Sequence, residues 1–461
     1  MKLSWINPVE LVGHELNQLA QEGRDVGSLR RRWAASHAEN TVPEALRRAA
    51  QLFLDELAPL SRLSLESAVE PSGLGTILAL CKSQGSGTPG RVPPEPVLGD
   101  RIAGGWFGRA AGCLLGKPVE KTPRDGIRRL LSSNGSWPLS YYITGKGIPE
   151  DLLTRYPWNS HEGKESLREN ILCMPEDDDM NYPMLNLAVL ESAGTAFTTD
   201  DIARAWLSML PILSTFTAER VAYMNCLDGF LPPETAILRN PYREWIGAQI
   251  RGDLFGWVSP GNPRRAAEFA FRDAALSHVR NGIYGEMFVA AMTAIALVET
   301  DPREVVHSAL SFVPPGSRLA QAVRFALSLP GREPAWEGAV NRLYEEFGNY
   351  HWVHTINNAA LVVAALIYGG GDFERSVCNV VMAGWDTDSN GATVGSITGT
   401  MLGASRLPPR WIEPLNNRIR SSLRGFDNSA IDLLARRTLK ISLASTSSQG
   451  YHALQGPDPA Q

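Results

Sequence analysis

The segment IAGGWFGRAAGCLLGKP, residues 102–118, carries a glycine at every fourth position: Gly104, Gly108, Gly112 and Gly116. Residues four apart lie on one face of an α-helix, so these glycines would form a stripe without side chains. Each glycine inside a helix costs about 1 kcal/mol relative to alanine, so a row of them needs a compensating contact. The spacing therefore predicts a helix that packs unusually close to a neighbour, and a glycine-rich loop is the alternative.

A second glycine stripe with the same spacing occurs far along the chain, at Gly391, Gly395, Gly399 and Gly403. We predict that the two stripes face each other or share a neighbouring helix. Elsewhere apolar residues recur at helical spacing, and alternating apolar and polar runs typical of strands are almost absent. The sequence therefore predicts an all-α protein.

Composition divides the chain into four segments. Residues 1–83 show helical amphipathic spacing and are predicted to form an N-terminal helical extension. Residues 84–98 are rich in Gly, Ser and Pro, which is typical of a linker. We expect residues 99–443 to form the main catalytic domain and residues 444–461, rich in Ser, Gln, Pro and Gly, to form a disordered tail.

Charge and cysteine content narrow the possible functions. The formal net charge of -5 argues against broad binding to a nucleic-acid backbone, which requires a basic surface. The five cysteines are odd in number and lack CxxC spacing, which suits a reducing compartment. No signal peptide is visible, and the longest apolar run, residues 359–368, is about half of a membrane span. We therefore expect a cytoplasmic protein without a membrane partner.

The first dense acidic run is Glu176-Asp177-Asp178-Asp179. Adjacent carboxylates repel one another unless they are solvated, cap a helix or bind a cation. Because proline favours the first helical position, Pro183 predicts a helix that begins after the acids and leaves them in a loop. Metal binding, helix capping and a solvated loop all remain possible from these residues alone.

The second acidic run, Asp386-Thr387-Asp388-Ser389, follows an apolar helix and precedes the second glycine stripe. Two carboxylates one residue apart, with hydroxyls beside them, are hard oxygen donors suited to Mg²⁺, Mn²⁺ or Ca²⁺. A turn is the alternative, since many turns have this composition. Two such runs in one chain favour a metal site more than either run alone.

Three motifs together resemble the ADP-ribosylglycohydrolase family. Residues 100–120 resemble the family's opening motif, residues 177–179 its Thr-Asp-Asp segment, and residues 386–389 its closing Asp-Thr-Asp-Thr segment. The resemblance covers about residues 99–405. It implies an orthogonal all-helical fold and two magnesium ions, with manganese possible. It also implies hydrolysis of a ribosyl bond at the anomeric carbon, with an ADP-ribosylated protein or a small ribosyl metabolite as partner.

The resemblance also assigns roles to residues. It places one metal ion on Asp177, Asp178 and Asp179, and the other on Asp386, Asp388 and Ser389, with Asp388 able to bridge. Glu120 is the candidate general base, and the metal-bound Asp178 is the alternative catalytic carboxylate. The segment containing Asn281, Gly282, Tyr284 and Gly285 resembles a loop that lies along the ribose and phosphates, which makes these four the expected substrate-binding residues.

Three departures from the family pattern leave alternatives open. Asp177 stands where many members have Thr, and Glu176 permits a register shifted by one residue. Cys113 replaces a common Asp of the opening motif. The segment after Gly282 lacks the usual arginine, which favours a small nucleoside-derived or NAD-derived metabolite as an alternative substrate. A non-catalytic, crystallin-like structural protein is a third hypothesis, which the retained carboxylates argue against.

Overall fold

The computed structural model describes residues 4–39, 42–63, 67–81 and 91–453. Within these ranges the regular secondary structure is helical apart from one short β-ladder, so the predicted all-α fold is confirmed. No helix of the described ranges is both long and apolar enough to cross a membrane. Residues 84–90 of the predicted linker and residues 454–461 of the predicted tail lie outside the described part.

The described residues of the N-terminal segment form four helices: α1 (Pro8–Gln21), α2 (Gly27–Glu39), α3 (Pro43–Leu63) and α4 (Leu74–Cys81). The remaining helices are α5 (Glu95–Gly116), α6 (Arg124–Ser133), α7 (Glu150–Arg155), α8 (Ser160–Glu165), α9 (Asp178–Ala193), α10 (Thr199–Met209), α11 (Thr217–Leu227), α12 (Glu234–Ile237), α13 (Asp253–Trp257), α14 (Pro263–Ala274), α15 (Asn281–Ala296), α16 (Pro302–Leu310), α17 (Arg318–Ser328), α18 (Trp336–Phe347), α19 (Thr355–Gly369), α20 (Phe373–Met382), α21 (Thr387–Leu402), α22 (Pro409–Ile412) and α23 (Ile431–Ala453). Strands β1 (Arg418–Ile419) and β2 (Ser429–Ala430) pair antiparallel.

Helices α5 and α21 form the central pair, and their glycine stripes face each other. A Cβ atom built on Gly108 would lie 3.0 Å from the carbonyl carbon of Gly395, and one on Gly399 would lie 2.9 Å from that of Gly104. The glycines pair in reverse order along the two helices, so the helices run antiparallel. The predicted close approach is confirmed. It also brings the end of α5 beside the start of α21.

Helix α9 begins earlier than the sequence predicted. It starts at Asp178, with Asp177 as its N-cap, and Pro183 lies inside it. Proline has no N–H, so the carbonyl of Asp179, four residues earlier, cannot receive the usual helical hydrogen bond. Arg109 of α5 satisfies that carbonyl instead, donating from Nε at 2.9 Å and from a terminal nitrogen at 2.7 Å. The predicted start after the acids was therefore wrong, because a distant side chain makes the proline tolerable.

The N-terminal helices pack against the rest of the protein. The apolar face of α1 is buried through Leu11, Leu16 and Leu19. Arg243 joins this helix to the main domain through buried ion pairs, 2.8 Å from Glu15 and 2.9 Å from Glu22. The segment is thus attached by both apolar and charged contacts.

Two segment boundaries differ from the predicted ones. Helix α5 begins at Glu95, inside the predicted linker, because proline is compatible with the first turn of a helix, where Pro96 lies. Helix α23 continues to Ala453, through the first ten residues of the segment predicted as a disordered tail, residues 444–453. Ser442 and Ser445 of this helix are buried, so packing of the last helix extends to the start of that segment.

Candidate active site

A cavity of about 350 Å³ lies where the end of α5 meets the starts of α9 and α21. This size is within the range of ligand pockets, about 300–1,000 Å³. Residues of both acidic runs line it, although the runs lie far apart in the sequence. Its lining residues are Trp5, Lys117, Glu120, Lys121, Asn159, Ser160, Glu162, Glu176, Asp177, Asp178, Asp179, Leu213, Ser214, Phe216, Thr217, Glu219, Ile246, Gly247, Ile250, Trp352, Val353, Asp386, Asp388 and Ser389.

The first carboxylate group consists of Asp177 and Asp179, and basic side chains already contact both. The ammonium of Lys117 donates to Asp177, and Arg109 donates to Asp179 at 3.3 Å. The hydroxyl of Ser389 donates to the other oxygen of Asp179 at 3.1 Å. Ser389 thereby links the second acidic run to the first.

The pKa values in this group reflect those contacts. Burial alone would raise the pKa of Asp177, but the neighbouring Lys117 ammonium lowers it below its ordinary value. Burial and the charge of Asp177 raise the pKa of Asp179 well above its ordinary value. Burial alone would lower the pKa of Lys117, but the charges of Asp177 and Asp388 outweigh that effect and raise it. Lys117 therefore stays positively charged.

The second carboxylate group consists of Glu120, Asp386 and Asp388. One oxygen from each lies within 4.8 Å of the others. Asn159 donates a side-chain hydrogen bond to Glu120, and Asp388 accepts from the backbone N–H of Ser389 at 3.1 Å. Burial and the charge of Asp388 raise the pKa of Glu120 to about 8. These three acids repel one another strongly.

Asp178 lines the same cavity and is half-buried. Burial raises the pKa of Asp178 well above its ordinary value, and the charges of Asp177 and Asp179 raise it further. A carboxyl held in this way would be ionised most readily beside a bound cation.

The second group fits a hard divalent cation better than the first group does. Glu120, Asp386 and Asp388 present only carboxylate oxygens, the donors that Mg²⁺ and Mn²⁺ prefer. The first group, Asp177 and Asp179, lies within 4.8 Å of the thiol of Cys113, which is buried and whose pKa is raised by burial. A neutral thiol is a poor ligand for a hard cation. The acidic clusters could therefore bind metal, and the donor chemistry favours the second one.

The four predicted substrate-binding residues lie in the protein interior and outside the cavity lining. Asn281 donates to Glu244 at 2.8 Å and accepts from the backbone N–H of Leu319 at 3.0 Å, which satisfies the start of α17. Tyr284 donates to the carbonyl of Pro71.

The two predicted glycines serve close packing. A Cβ on Gly282 would lie 2.8 Å from the ring of His278, and one on Gly285 would lie 2.7 Å from the methyl group of Thr355. The structure places this segment outside the cavity lining, and its contact with substrate stays a prediction. Helix α17 and the N-terminal segment cover the first turn of α15, and sequence spacing could not reveal that cover.

Several cavity residues were not predicted from the sequence. Lys117 was within the opening motif and could have been found by asking which cation accompanies the extra acid Asp177. Glu219 of α11 is buried beside Arg251 at 2.7 Å, and burial raises its pKa to about 7. Trp5, Phe216 and Trp352 add aromatic surface from three distant segments, and no local sequence signal connects them.

These features define an all-α protein with a candidate metal centre at the junction of three helix ends. The profile of the ADP-ribosylglycohydrolase family matches residues 94–443, more than half of the chain. The chain therefore belongs to the ADP-ribosylglycohydrolase family. Members of this family are glycosidic hydrolases and are typically metal-dependent.

Two individual proteins are similar to this chain. An uncharacterized protein of Archaeoglobus fulgidus is 28% identical over 181 residues, a match that spans 38% of this chain and 55% of the relative's length. A solved structure described as an ADP-ribosylglycohydrolase-related protein complex is 19% identical, with a TM-score of 0.45. That alignment covers 76% of this chain and 99% of the other.

Proposed function

We propose that this protein is a magnesium-dependent hydrolase that cleaves a ribosyl N- or O-glycosidic bond at the anomeric carbon, with ADP-ribosyl compounds as the substrate class. The observation that carries the proposal is the convergence of Glu120, Asp386 and Asp388 at one cavity, beside Asp178. Membership of the ADP-ribosylglycohydrolase family supports it.

The metal would be held by Glu120, Asp386 and Asp388. Magnesium is the proposed ion because all three donors are hard carboxylate oxygens, and manganese is the alternative. A divalent cation at this position would supply positive charge that orients ribose hydroxyls and lowers the pKa of a coordinated water.

Glu120 is the residue that we assign to take a proton from the attacking water. The water oxygen forms a bond to the anomeric carbon, the glycosidic bond breaks, and the leaving group receives the proton. Asn159 orients Glu120 through its side-chain hydrogen bond. Asp178 lies at the same cavity and is the alternative base.

The cavity wall suits a substrate with a planar ring. Trp5, Phe216 and Trp352 line it, and aromatic faces can stack on a base. A smaller nucleoside-derived or NAD-derived metabolite is the second candidate substrate. The interior position of Asn281 and its neighbours favours this candidate, because the expected phosphate-contact segment contributes nothing to the cavity lining.

We further propose an ADP-ribosylated protein or a small ribosyl metabolite as the partner, and a cytoplasmic location. The negative net charge supports the absence of broad nucleic-acid binding. All five cysteines are free, which is compatible with a reducing compartment.

The test is a hydrolysis assay with purified protein and Mg²⁺. The panel contains ADP-ribosylated proteins, ADP-ribosylated nucleic acids and small ribosides, and mass spectrometry detects released ADP-ribose or ribose. We expect release from at least one class, and loss of release in excess EDTA. Release that continues undiminished in EDTA would contradict a metal-dependent mechanism.

Matched variants separate the site from general charge effects. Asp388→Asn and Glu120→Gln should abolish turnover, because each removes a proposed metal ligand. Glu304→Gln changes an exposed acid on α16 and should keep the wild-type rate. Equal loss in all three variants would mean that folding, not the site, had been disturbed.

A further inference from the structure

We propose that the ammonium of Lys117 takes the place of one of the two expected divalent ions, so that the protein binds a single metal ion at Glu120, Asp386 and Asp388. This inference deepens the proposed function and rests on it. It concerns the number of ions at the site, and the family resemblance implied two.

The oxygens of the first carboxylate group are already occupied by protein donors. Asp177 accepts from Lys117 through one oxygen and from the backbone N–H of Asp179 through the other, at 2.9 Å. Asp179 accepts from Arg109 at 3.3 Å and from Ser389 at 3.1 Å. A second divalent ion at this position would lie beside the ammonium of Lys117 and the guanidinium of Arg109, which already contact these oxygens.

The lysine is held in place by the central helix pair. It follows directly after α5 and opens the short 3₁₀-helix Lys117–Val119. The preceding Gly116 packs against the start of α21, and its carbonyl accepts a hydrogen bond from the Thr387 hydroxyl at 2.8 Å. The side chain of Lys117 is only 8% exposed, so its ammonium cannot turn out to solvent without leaving the cavity wall.

The charged partners of the two carboxylate groups also favour a metal ion at the second group. Lys117 and Arg109 contact the two acids of the first group, although Arg109 also pairs with Asp253 at 2.7 Å. Three acids meet in the second group. The charge of Lys117 also acts on Glu120 and Asp388, but its ammonium donates to Asp177, and the ion pair of the second group is made by Lys121. Its Nζ lies 3.5 Å from Glu120 and its side chain is 55% exposed. One divalent ion would therefore offset most of the charge of the second group, whereas each acid of the first group already has a cationic partner.

The ligand atoms of the first carboxylate group also disfavour a hard cation there, independently of its charge. The thiol of Cys113 lies beside Asp177 and Asp179. An oxygen ligand at this position would favour magnesium, but Cys113 offers sulfur. The first group thus offers one soft atom and two carboxylates that already hold hydrogen bonds.

The experiment measures metal stoichiometry and not turnover. Titration of the metal-free full chain with Mn²⁺, followed by calorimetry and electron paramagnetic resonance, should give one ion per chain with the signal of an isolated ion. Lys117→Met keeps the length of the side chain and removes its charge, so it should bind two ions, and spin coupling between them should broaden the signal. Lys117→Arg keeps a cation and should still bind one.

A second variant tests the location of the added ion. Asp177→Asn in the Lys117→Met background should return the stoichiometry to one, because the carboxylate that the lysine left is then removed. Two ions in the wild-type protein would overturn the inference while leaving the proposed function intact. No ion in the wild-type protein would refute the proposed metal dependence itself. If Lys117→Met fails to fold, the wild-type stoichiometry still decides the question.

Discussion

The close packing of α5 on α21 can be tested with Gly395→Ala. A Cβ at this position would lie 2.9 Å from the carbonyl carbon of Gly108, and closer still to its oxygen. Carbon atoms in contact prefer separations of about 3.5–4.0 Å, so the new atom falls short by at least about 0.6 Å. Both sides of the contact are backbone, so no side chain can rotate away, and the helices themselves must separate.

The expected loss follows from two opposing effects. Overpacking of this kind costs about 1–3 kcal/mol, and backbone on both sides favours the upper end. Alanine recovers about 1 kcal/mol of helix propensity relative to glycine. The net effect should be a free energy of unfolding lowered by about 2 kcal/mol.

Gly13→Ala is the matched control. Gly13 lies in α1, is exposed, and has no atom within 4 Å of its Cβ position. The same substitution should therefore raise stability by up to about 1 kcal/mol, which leaves the two variants about 3 kcal/mol apart. Urea denaturation followed by circular dichroism in EDTA compares them without a contribution from metal binding. Equal shifts in the two variants would refute the reasoning that the glycine stripes exist for backbone contact.

Three further predictions concern charge, pH and the cavity wall. Arg109→Met should lower the free energy of unfolding by about 3–5 kcal/mol, measured by urea denaturation, because the variant leaves Asp179 and Asp253 buried without their cation. In EDTA the melting temperature should fall as pH rises from 5 to 8. Burial raises the pKa of Glu120 from 4.5 to about 8, so the folded chain retains a proton that the unfolded chain releases. A melting temperature that does not change with pH would contradict the burial of Glu120 beside Asp388. Trp5→Ala should weaken calorimetric binding of ADP-ribose several-fold while Trp5→Phe retains it, and neither should alter Mn²⁺ affinity.

Features that depend on local spacing were predictable, and features that depend on distant partners were not. Gly104 and Gly399 could be assigned to facing stripes because residues four apart lie on one face of a helix. The start of α9 was mispredicted because Pro183 is compatible with a helix interior only when another group satisfies the carbonyl of Asp179. That group is Arg109, which lies on a different helix. The sequence around Pro183 gives no indication of the contact between Arg109 and the carbonyl of Asp179.

The substrate segment illustrates the same limit from the opposite direction. Asn281 and Gly282 are of residue types that suit a ligand-binding loop, and their neighbours are compatible with that role. Whether such residues meet a ligand depends on what covers them, and here α17 and the N-terminal segment do so. The N-terminal segment precedes the family match, which begins at residue 94. Residues outside the family region therefore help to cover residues within it.

The same segment also changes the cavity directly. Trp5 lines the wall beside the candidate metal centre, and its ring meets Tyr242 and Trp245 edge-on at centroid distances of 5.7 and 6.0 Å. Arg220 holds the preceding residue by donating to the carbonyl of Ser4 at 2.9 Å. The position of Trp5 is thus set by the main domain, although the residue belongs to the extension. An extension attached in this way can alter the choice of substrate without any change in the carboxylates, because the wall and the metal ligands come from separate parts of the chain.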